Sequence, residues 1–165
     1  MTGRATARRT ARGFTLVELV AALAILAVLA SVAVAPLRLE RQRMQERELR
    51  AALREIRDAL DAHKRLVDEG RIAVAAPGGA GYPASLDVLA RGFTDASRPD
   101  GGRIYLLRRV PRDPFEPDPS IPAARTWGLR SYASPPERPQ PGADVFDVYS
   151  RSAGVGLNGT PYREW

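Results

Sequence analysis

The sequence predicts an α+β protein in which one long N-terminal helix packs its second half on a small antiparallel β-sheet. Three observations predict this fold. Residues 14–37 are an almost unbroken apolar run, and residues 38–69, called the stem below, carry apolar side chains at helical spacing among charged ones. Residues 70–165, called the head, contain short β-prone stretches separated by glycine and proline.

Composition narrows the class of protein before any motif is considered. The chain has 165 residues, enough for one modest domain with attachments. It has no cysteine, which excludes disulfides, thiolate metal sites and cysteine nucleophiles. The formal net charge is +6, but the first thirteen residues hold four arginines and no acid, so bulk charge is a weak argument for nucleic-acid binding. Residues 1–13 therefore form a short basic leader.

The apolar run of residues 14–37 predicts a single membrane-spanning helix. At about 1.5 Å per residue, its 24 residues span roughly 36 Å, and the hydrocarbon core is about 30 Å thick. Because the run is apolar on every face, a buried core helix is a poor alternative in so small a protein. Pro36 predicts a kink or loosening near the end of the run, since proline clashes with the carbonyl four residues earlier.

A cleaved secretory signal is the rival interpretation of the same run. It would end at Ala33-Val34-Ala35, which resembles a signal-peptidase exit. The apolar region is too long for such a signal, and Pro36 would become the first mature residue. Arginines flank the run on both sides, so counting charges does not decide its orientation.

The junction between the leader and the run carries a specific string, RGFTLVEL. Gly13 precedes Phe14, and Glu18 interrupts the apolar residues that follow. This string resembles the processing site of the type IV pilin and type II secretion pseudopilin superfamily. The resemblance implies a prepilin peptidase that cuts after Gly13 on the cytoplasmic side, N-methylation of Phe14, a single-pass anchor in the bacterial inner membrane and a head in the periplasm.

Glu18 needs a physical reason, because a carboxylate in hydrocarbon costs at least about 2.5 kcal/mol. Cleavage would create an ammonium on Phe14. In a stack of parallel helices that are offset along their axes, Glu18 of one subunit can approach the Phe14 ammonium of its neighbour, and the pair sets the stagger. The alternative is that Glu18 reaches the lipid headgroups by itself.

The stem predicts an amphipathic helix that continues the apolar run to about Glu69, with Gly70 as its stop. Its apolar stripe is formed by Leu49, Leu53, Ile56, Leu60 and Val67. A short coiled coil is the alternative use of such a stripe.

The other side of the stem is predicted to be charged and exposed. Glu46 with Arg50 and Asp61 with Lys64 have the spacing of helical ion pairs. His63, the single histidine, is assigned to the helix surface or edge. Without a cysteine or second histidine it offers no metal cluster and no nucleophile–base pair.

The head predicts one short helix and several strands. Residues 82–92 read as a helix that begins near Pro83 and ends at Gly92. Residues 103–115 combine β-prone residues with a proline-rich turn. Residues 126–132 and 144–150 are strand candidates, separated by a proline-rich loop.

Two phrases of the head, YPASLDVLA and YLLRRVPRDPF, resemble the major pseudopilin of type II secretion systems. That resemblance implies a structural subunit of a short periplasmic filament, whose partners are other pseudopilins, the prepilin peptidase, an inner-membrane assembly platform and membrane lipid. No nucleic acid is expected. The matching residues are Tyr82, Pro83, Leu86, Leu89, Leu106, Pro111, Asp113 and Pro114.

The C-terminal part departs from that family. Major pseudopilins usually bind calcium there through several aspartates, and calcium takes about six to eight oxygen ligands. Here Asp144 and Asp147 are the weak candidates, with help from Ser150 and Asn158, and Glu164 is the only acid after Asp147. The sequence therefore predicts no calcium site and leaves open a divergent or minor subunit.

A hairpin is expected to fix the C-terminal loop instead. Asn158-Gly159 is a typical two-residue hairpin turn, and Trp165 is predicted to pack behind it. Asp147 would then cap or pair within the sheet.

The alternatives are two other classes of function, a pilus or DNA-uptake subunit and a membrane-anchored enzyme. A type IV pilus or DNA-uptake subunit would need phosphate contacts from a basic, aromatic patch on the head. An enzyme is not expected, since no carboxylate pair, histidine relay or phosphate loop stands out. Candidates for the basic patch are Arg103, Tyr105, Arg108, Arg109 and Arg112.

Overall fold

The computed structural model describes residues 15–74 and 79–165, without the side chains of residues 30–37. The basic leader, Gly13 and Phe14 lie outside the described residues, as do the side chains of Ala33, Ala35 and Pro36. The chain divides into two compact units, Met1–Arg41 and Gln42–Trp165. The α+β class is confirmed, since a long helix is followed by small antiparallel sheets.

Helix α1 runs over Leu16–Asp68, close to the predicted span, and continues across Pro36. It ends as the sequence indicates. Gly70 adopts a φ of 69°, and the amide of Arg71 donates to the carbonyl of Leu66 at 2.9 Å. A left-handed glycine with a bond back into the last turn is the usual way to satisfy terminal carbonyls.

The predicted stripe of α1 forms the floor of the core in the second unit. Leu49, Ile56 and Leu60 are fully buried, and Leu53 nearly so. Buried residues of later segments join this stripe in one core. They include Leu86, Leu89, Leu107, Trp127, Val145, Val148 and Tyr162.

Two expectations for the stem are wrong. His63 is not on the surface: it is 2 % exposed, its Nδ1 lies 3.0 Å from the carbonyl oxygen of Gly81, and its ring meets Phe93 edge-on. It occupies the gap in the apolar stripe, so helical periodicity places it inward. Glu46 lies on the same stripe and is 3 % exposed rather than part of the solvated face.

One of the two predicted ion pairs of the stem forms, and in the other the lysine has a different partner. Arg50 lies 3.6 Å from the buried Glu46 carboxylate, as expected from the spacing. Lys64, however, pairs with Asp68 one turn further along, and not with Asp61. Both acids stand at helical spacing from Lys64, so sequence alone left the choice of partner open.

Helix α2 spans Asp87–Arg91, shorter than the predicted helix, because the chain from Pro83 to Leu86 approaches it as a turn. Its Leu89 is fully buried, and Gly92 ends it with a φ of 81°. The amides of Leu106 and Leu107 both donate to the carbonyl of Leu89. These bonds tie the helix to the β-prone segment that follows.

In its described residues, the head contains two separate two-stranded sheets rather than the one sheet predicted. Strand β1 (Phe93–Thr94) pairs antiparallel with β2 (Arg103–Ile104). The loop between them is closed by Asp95, which is 2 % exposed; Arg71 and Ser97 hold the pKa of its carboxyl well below the usual range.

The second sheet confirms the two strongest strand predictions. Strand β3 (Trp127–Arg130) pairs antiparallel with β4 (Asp147–Ser150), with Leu129 opposite Val148. Gly128 is needed here because the ring of Tyr149 covers it, and an added Cβ would lie 2.3 Å from that ring. The indole of Trp127 donates to the carbonyl of Pro111 at 2.9 Å.

The turn at Asn158-Gly159 is real but has a different geometry from the predicted one. The amide of Gly159 donates to Gly156, and the amide of Gly156 donates to Thr160, which leaves three residues in the loop. Only Gly159 has a positive φ, of 82°, so a two-residue turn with two left-handed residues is not formed. Trp165 packs behind the turn as expected, with its indole donating to Thr160 at 3.2 Å.

His63 generates a prediction about pH. Burial lowers the pKa of His63 below its ordinary 6.5. Between the two pKa values the unfolded chain binds more protons, so the free energy of unfolding should fall below about pH 6.5, by at most about 1.4 kcal/mol per pH unit. Urea unfolding of the full chain in detergent, repeated over a pH series, measures this slope.

The matched variant is His63→Gln, which keeps a hydrogen-bond donor for the Gly81 oxygen and does not titrate. Its slope below about pH 6.5 should be shallower than that of the wild type. Equal slopes in the two proteins would contradict the assignment to His63.

Candidate functional site

The N-terminal end of α1 is built around Thr15 and Glu18. The hydroxyl of Thr15 accepts the amide of Glu18 at 3.2 Å, which makes Thr15 the N-cap of α1. The pair has the T-x-x-E spacing of a capping box. Glu18 stands in the first turn, where the helix dipole favours a negative charge, and its side chain is exposed.

Glu18 is surrounded by apolar side chains that the chain does not cover. Leu16 is 78 % exposed and Val17 74 % exposed, and exposure continues through Leu29. An apolar surface of this size normally meets lipid or other protein. Among the residues that the structure describes, no helix reaches the length and apolarity of a candidate membrane span.

A buried carboxylate ties the stem to the C-terminal segment. Glu46 Oε1 accepts the amide of Leu157 at 2.8 Å, the hydroxyl of Tyr162 at 3.1 Å and the amide nitrogen of Gln42 at 3.2 Å. Burial raises the pKa of Tyr162, which keeps its hydroxyl as a donor. One carboxylate therefore accepts hydrogen bonds from three parts of the chain: α1, the turn at Asn158-Gly159, and the 3₁₀ turn Tyr162–Glu164.

Asp147, the first calcium candidate, is held by two arginines. Its Oδ1 lies 2.8 Å from Nε of Arg57, and its Oδ2 lies 3.4 Å from the guanidinium of Arg130. Its Oδ1 also accepts its neighbour's amide, that of Val148, at 2.8 Å. The expectation that Asp147 pairs within the sheet is met by Arg130 of β3, and Arg57 of α1 is a second partner from outside the sheet.

The other calcium candidates are engaged elsewhere. Asp144 accepts the amide of Tyr132 at 2.9 Å, and Asn158 accepts the amide of Thr160 at 3.1 Å within its own turn. Ser150 donates its hydroxyl to the buried Asp113 at 2.6 Å. In the described part of the chain, no three acidic or histidine side chains are close enough to hold a metal together. The residues present do not fit a calcium site.

The arginines proposed for nucleic-acid contact separate into two groups. Arg103 donates to the carbonyls of Arg91 and Gly92, and Arg112 donates to the carbonyls of Asp118 and Ile121. Arg108 and Arg109 instead line open grooves beside α1, and Tyr105 is exposed. Acidic side chains of α1 line the same grooves; these are Glu48, Glu55 and Asp58.

The sequence did not reveal that Glu46 and Arg57 hold the C-terminal segment to α1. It offered Glu46 only as an exposed partner of Arg50. A signal for Glu46 was available, since it precedes Leu49 by three positions and so lies on the apolar stripe. For Arg57 there was none: it is one of many arginines in the stem, and only the fold brings Asp147 to it.

Comparison with known proteins bears on the N-terminal segment. Residues 8–34 match the family model described as the prokaryotic N-terminal methylation motif. This type IV pilin-like prepilin signal supports a pilin-superfamily subunit, and it implies processing by a prepilin peptidase and assembly with other pilin-like subunits. No curated protein and no solved structure matches the chain.

Glu46→Ala should destabilise the second unit by about 2–4 kcal/mol, because it leaves buried donors without their charged acceptor. Urea unfolding of the full chain in detergent measures the loss. Glu48→Ala, which changes an exposed acid two positions away, is the matched control and should stay within about 0.5 kcal/mol. Equal effects of the two substitutions would contradict the role given to Glu46.

Proposed function

We propose that this chain is a structural subunit of a type II secretion pseudopilus, anchored in the bacterial inner membrane, whose filament drives protein export across the outer membrane. The observation that carries the proposal is the methylation motif over residues 8–34 with Glu18 in the first turn of α1. The tyrosine-proline and proline-x-aspartate-proline phrases of the head support the secretion branch.

In this proposal, residues 14–37 span the membrane and also form the interface between subunits. Their apolar side chains, as far as they are described, are exposed in the single chain, so both lipid and neighbouring helices can cover them. Packing between uniformly apolar helices does not select one axial offset. A charge pair does, because any other offset leaves two charges in hydrocarbon.

The charge pair joins the ammonium of Phe14, formed by cleavage after Gly13, to Glu18 of the adjacent subunit. Thr15 supports this arrangement by capping α1, which fixes the first turn from which Glu18 projects. The exposed carboxylate needs no rearrangement of its own chain to meet a partner.

The type IV pilus or DNA-uptake alternative is less well supported by the head. Two of the four arginines proposed for phosphate contact donate to backbone carbonyls of the head. The other two, Arg108 and Arg109, share their grooves with Glu55 and other acids, which would repel phosphate. A structural rather than enzymatic role agrees with the pilin-like motif.

Mass spectrometry of the chain extracted from membranes of its native host tests the processing step. We expect a mature chain that begins with N-methylated Phe14. Gly13→Val should leave the chain unprocessed, because a branched side chain replaces the small residue before the cut. A mature chain that begins at Pro36 would overturn the proposal in favour of a secretory signal.

The charge pair is tested by Glu18→Gln, which keeps the size of the side chain and removes its charge. We expect the yield of sheared or cross-linked filament to fall at least about tenfold, the effect of losing about 1.4 kcal/mol per contact, while carbonate-resistant membrane insertion persists. Glu18→Asp should retain part of the yield. Glu48→Gln, on the exposed side of the same helix, is the control.

Thr15→Ala separates pairing from capping. It removes the N-cap and leaves the charge, so its effect should be smaller than that of Glu18→Gln. Equal losses for the two variants would assign Glu18 to helix capping alone, and normal filament in Glu18→Gln would remove the pairing argument.

The branch of the family is tested by deleting the gene in its native host. Loss of extracellular proteins, restored by the wild-type chain, is expected for a pseudopilus subunit. Intact secretion with loss of surface pili or of DNA uptake would favour the alternative.

A further inference from the structure

We propose that the guanidinium of Arg57 serves as a built-in cation that closes the C-terminal segment, at Asp147, which the sequence offers only as a weak calcium ligand. Arg57 projects from α1 and gathers three oxygens. These are Oδ1 of Asp147 at 2.8 Å, the carbonyl of Val148 at 3.1 Å and the backbone oxygen of Trp165 at 2.7 Å. One carboxylate and two backbone oxygens around one positive centre resemble a partial cation cage.

The three oxygens come from parts of the chain that are distant in sequence. Asp147 and Val148 begin β4, whereas Trp165 follows the 3₁₀ turn Tyr162–Glu164. Arg57 therefore fastens both the strand and the segment after it to α1. Charge-assisted hydrogen bonds of this kind are shorter and about twice as strong as neutral ones.

A second guanidinium makes the position unfavourable for calcium. Arg130 reaches the other oxygen of Asp147 at 3.4 Å, and its guanidinium lies 4.6 Å from the ring centroid of Phe146. Two positive charges thus face one carboxylate. A divalent cation would have to displace both arginines from Asp147, and Asp144 already accepts a backbone amide. Glu137 and Glu164 line the cavity beside Asp147, but among the described residues no three acidic or histidine side chains are close enough to hold a metal ion together.

A second arginine of α1, Arg50, contacts the end of the C-terminal segment through a cation–π interaction. The guanidinium of Arg50 lies 4.2 Å from the centroid of the Trp165 ring, and the ring meets Tyr162 edge-on. Glu46 holds Leu157 and Tyr162 one turn earlier on α1. The C-terminal segment is thus closed by side chains of α1 and does not require an added ion.

This inference concerns the second unit, Gln42–Trp165, and stands whether or not the filament belongs to a secretion system. Its consequence is that the folding of the head, and any assembly that depends on it, is independent of calcium. Subunits that need the ion would respond to chelators, and this chain would not.

The test uses the full chain in detergent, with calcium chloride and EDTA as the probes. Thermal unfolding of the wild type should give the same midpoint with either addition. Arg57→Ala should lower the midpoint and, by removing charge-assisted bonds, speed amide exchange in peptides covering 147–149 and 160–165 by roughly tenfold or more. Arg54→Ala, an exposed arginine on the same helix, is the matched control and should leave both unchanged.

A rise in the wild-type midpoint with calcium, or a fall with EDTA, would overturn the inference. So would unchanged exchange of the two segments in Arg57→Ala. If Arg57→Ala does not accumulate, Arg57→Lys keeps one charge but cannot span three oxygens, and faster exchange of the same peptides is then expected. Exchange at the wild-type rate in Arg57→Lys would contradict the role given to the guanidinium.

Discussion

The second unit depends on one face of α1. Its two sheets have only two strands each, and isolated two-stranded sheets are marginal in water. Both obtain their buried surface by packing on a core to which α1 contributes Leu49, Leu53, Ile56 and Leu60. Because this one face supports α2, both sheets and the C-terminal turn, polar residues on it also become structural. Glu46 and His63 are examples. Both are buried; Glu46 accepts a hydrogen bond from Leu157, and His63 is hydrogen-bonded to Gly81.

Ion pairs and hydrogen bonds to acidic side chains hold the edges of the head. The chain has no cysteine. Acidic side chains accept hydrogen bonds from backbone amides, hydroxyls or arginines; Asp95 and Asp113 are buried, and Asp147 is half-buried. Asp95 closes the β1–β2 loop with Arg71, Asp113 links the proline-rich turn to Ser150, and Asp147 is bracketed by arginines. Every buried side-chain nitrogen or oxygen in the described residues has a partner. Such networks stabilise the fold only when every member is hydrogen-bonded. An unpaired buried polar group lowers the free energy of unfolding by more than a single hydrogen bond raises it.

The N-terminal segment differs, since its apolar side chains from Leu16 to Leu29 are exposed in the single chain. The local constraint there is the start of α1, where Thr15 caps the helix and Glu18 adds a charge that the dipole favours. A carboxylate in this position is tolerable in a single chain, and in the proposed filament it would set the axial offset between subunits. The N-terminal part of α1 thus exposes apolar side chains, whereas the buried polar side chains of the second unit are hydrogen-bonded within it.

The sequence alone determined what depends on short-range pattern. The bounds of α1, the stripe that becomes part of the core, the two stretches that contain β3 and β4, and the methylation motif over residues 8–34 all follow from spacing within a few residues or from a contiguous string. The tertiary structure decided what depends on long-range proximity. Strand β1 forms by pairing with β2, the loop at Gly81 supplies the hydrogen-bond partner of His63, and the fold brings Arg57 to Asp147. These contacts join residues far apart in the chain, and no local periodicity encodes which of many arginines will meet which acid.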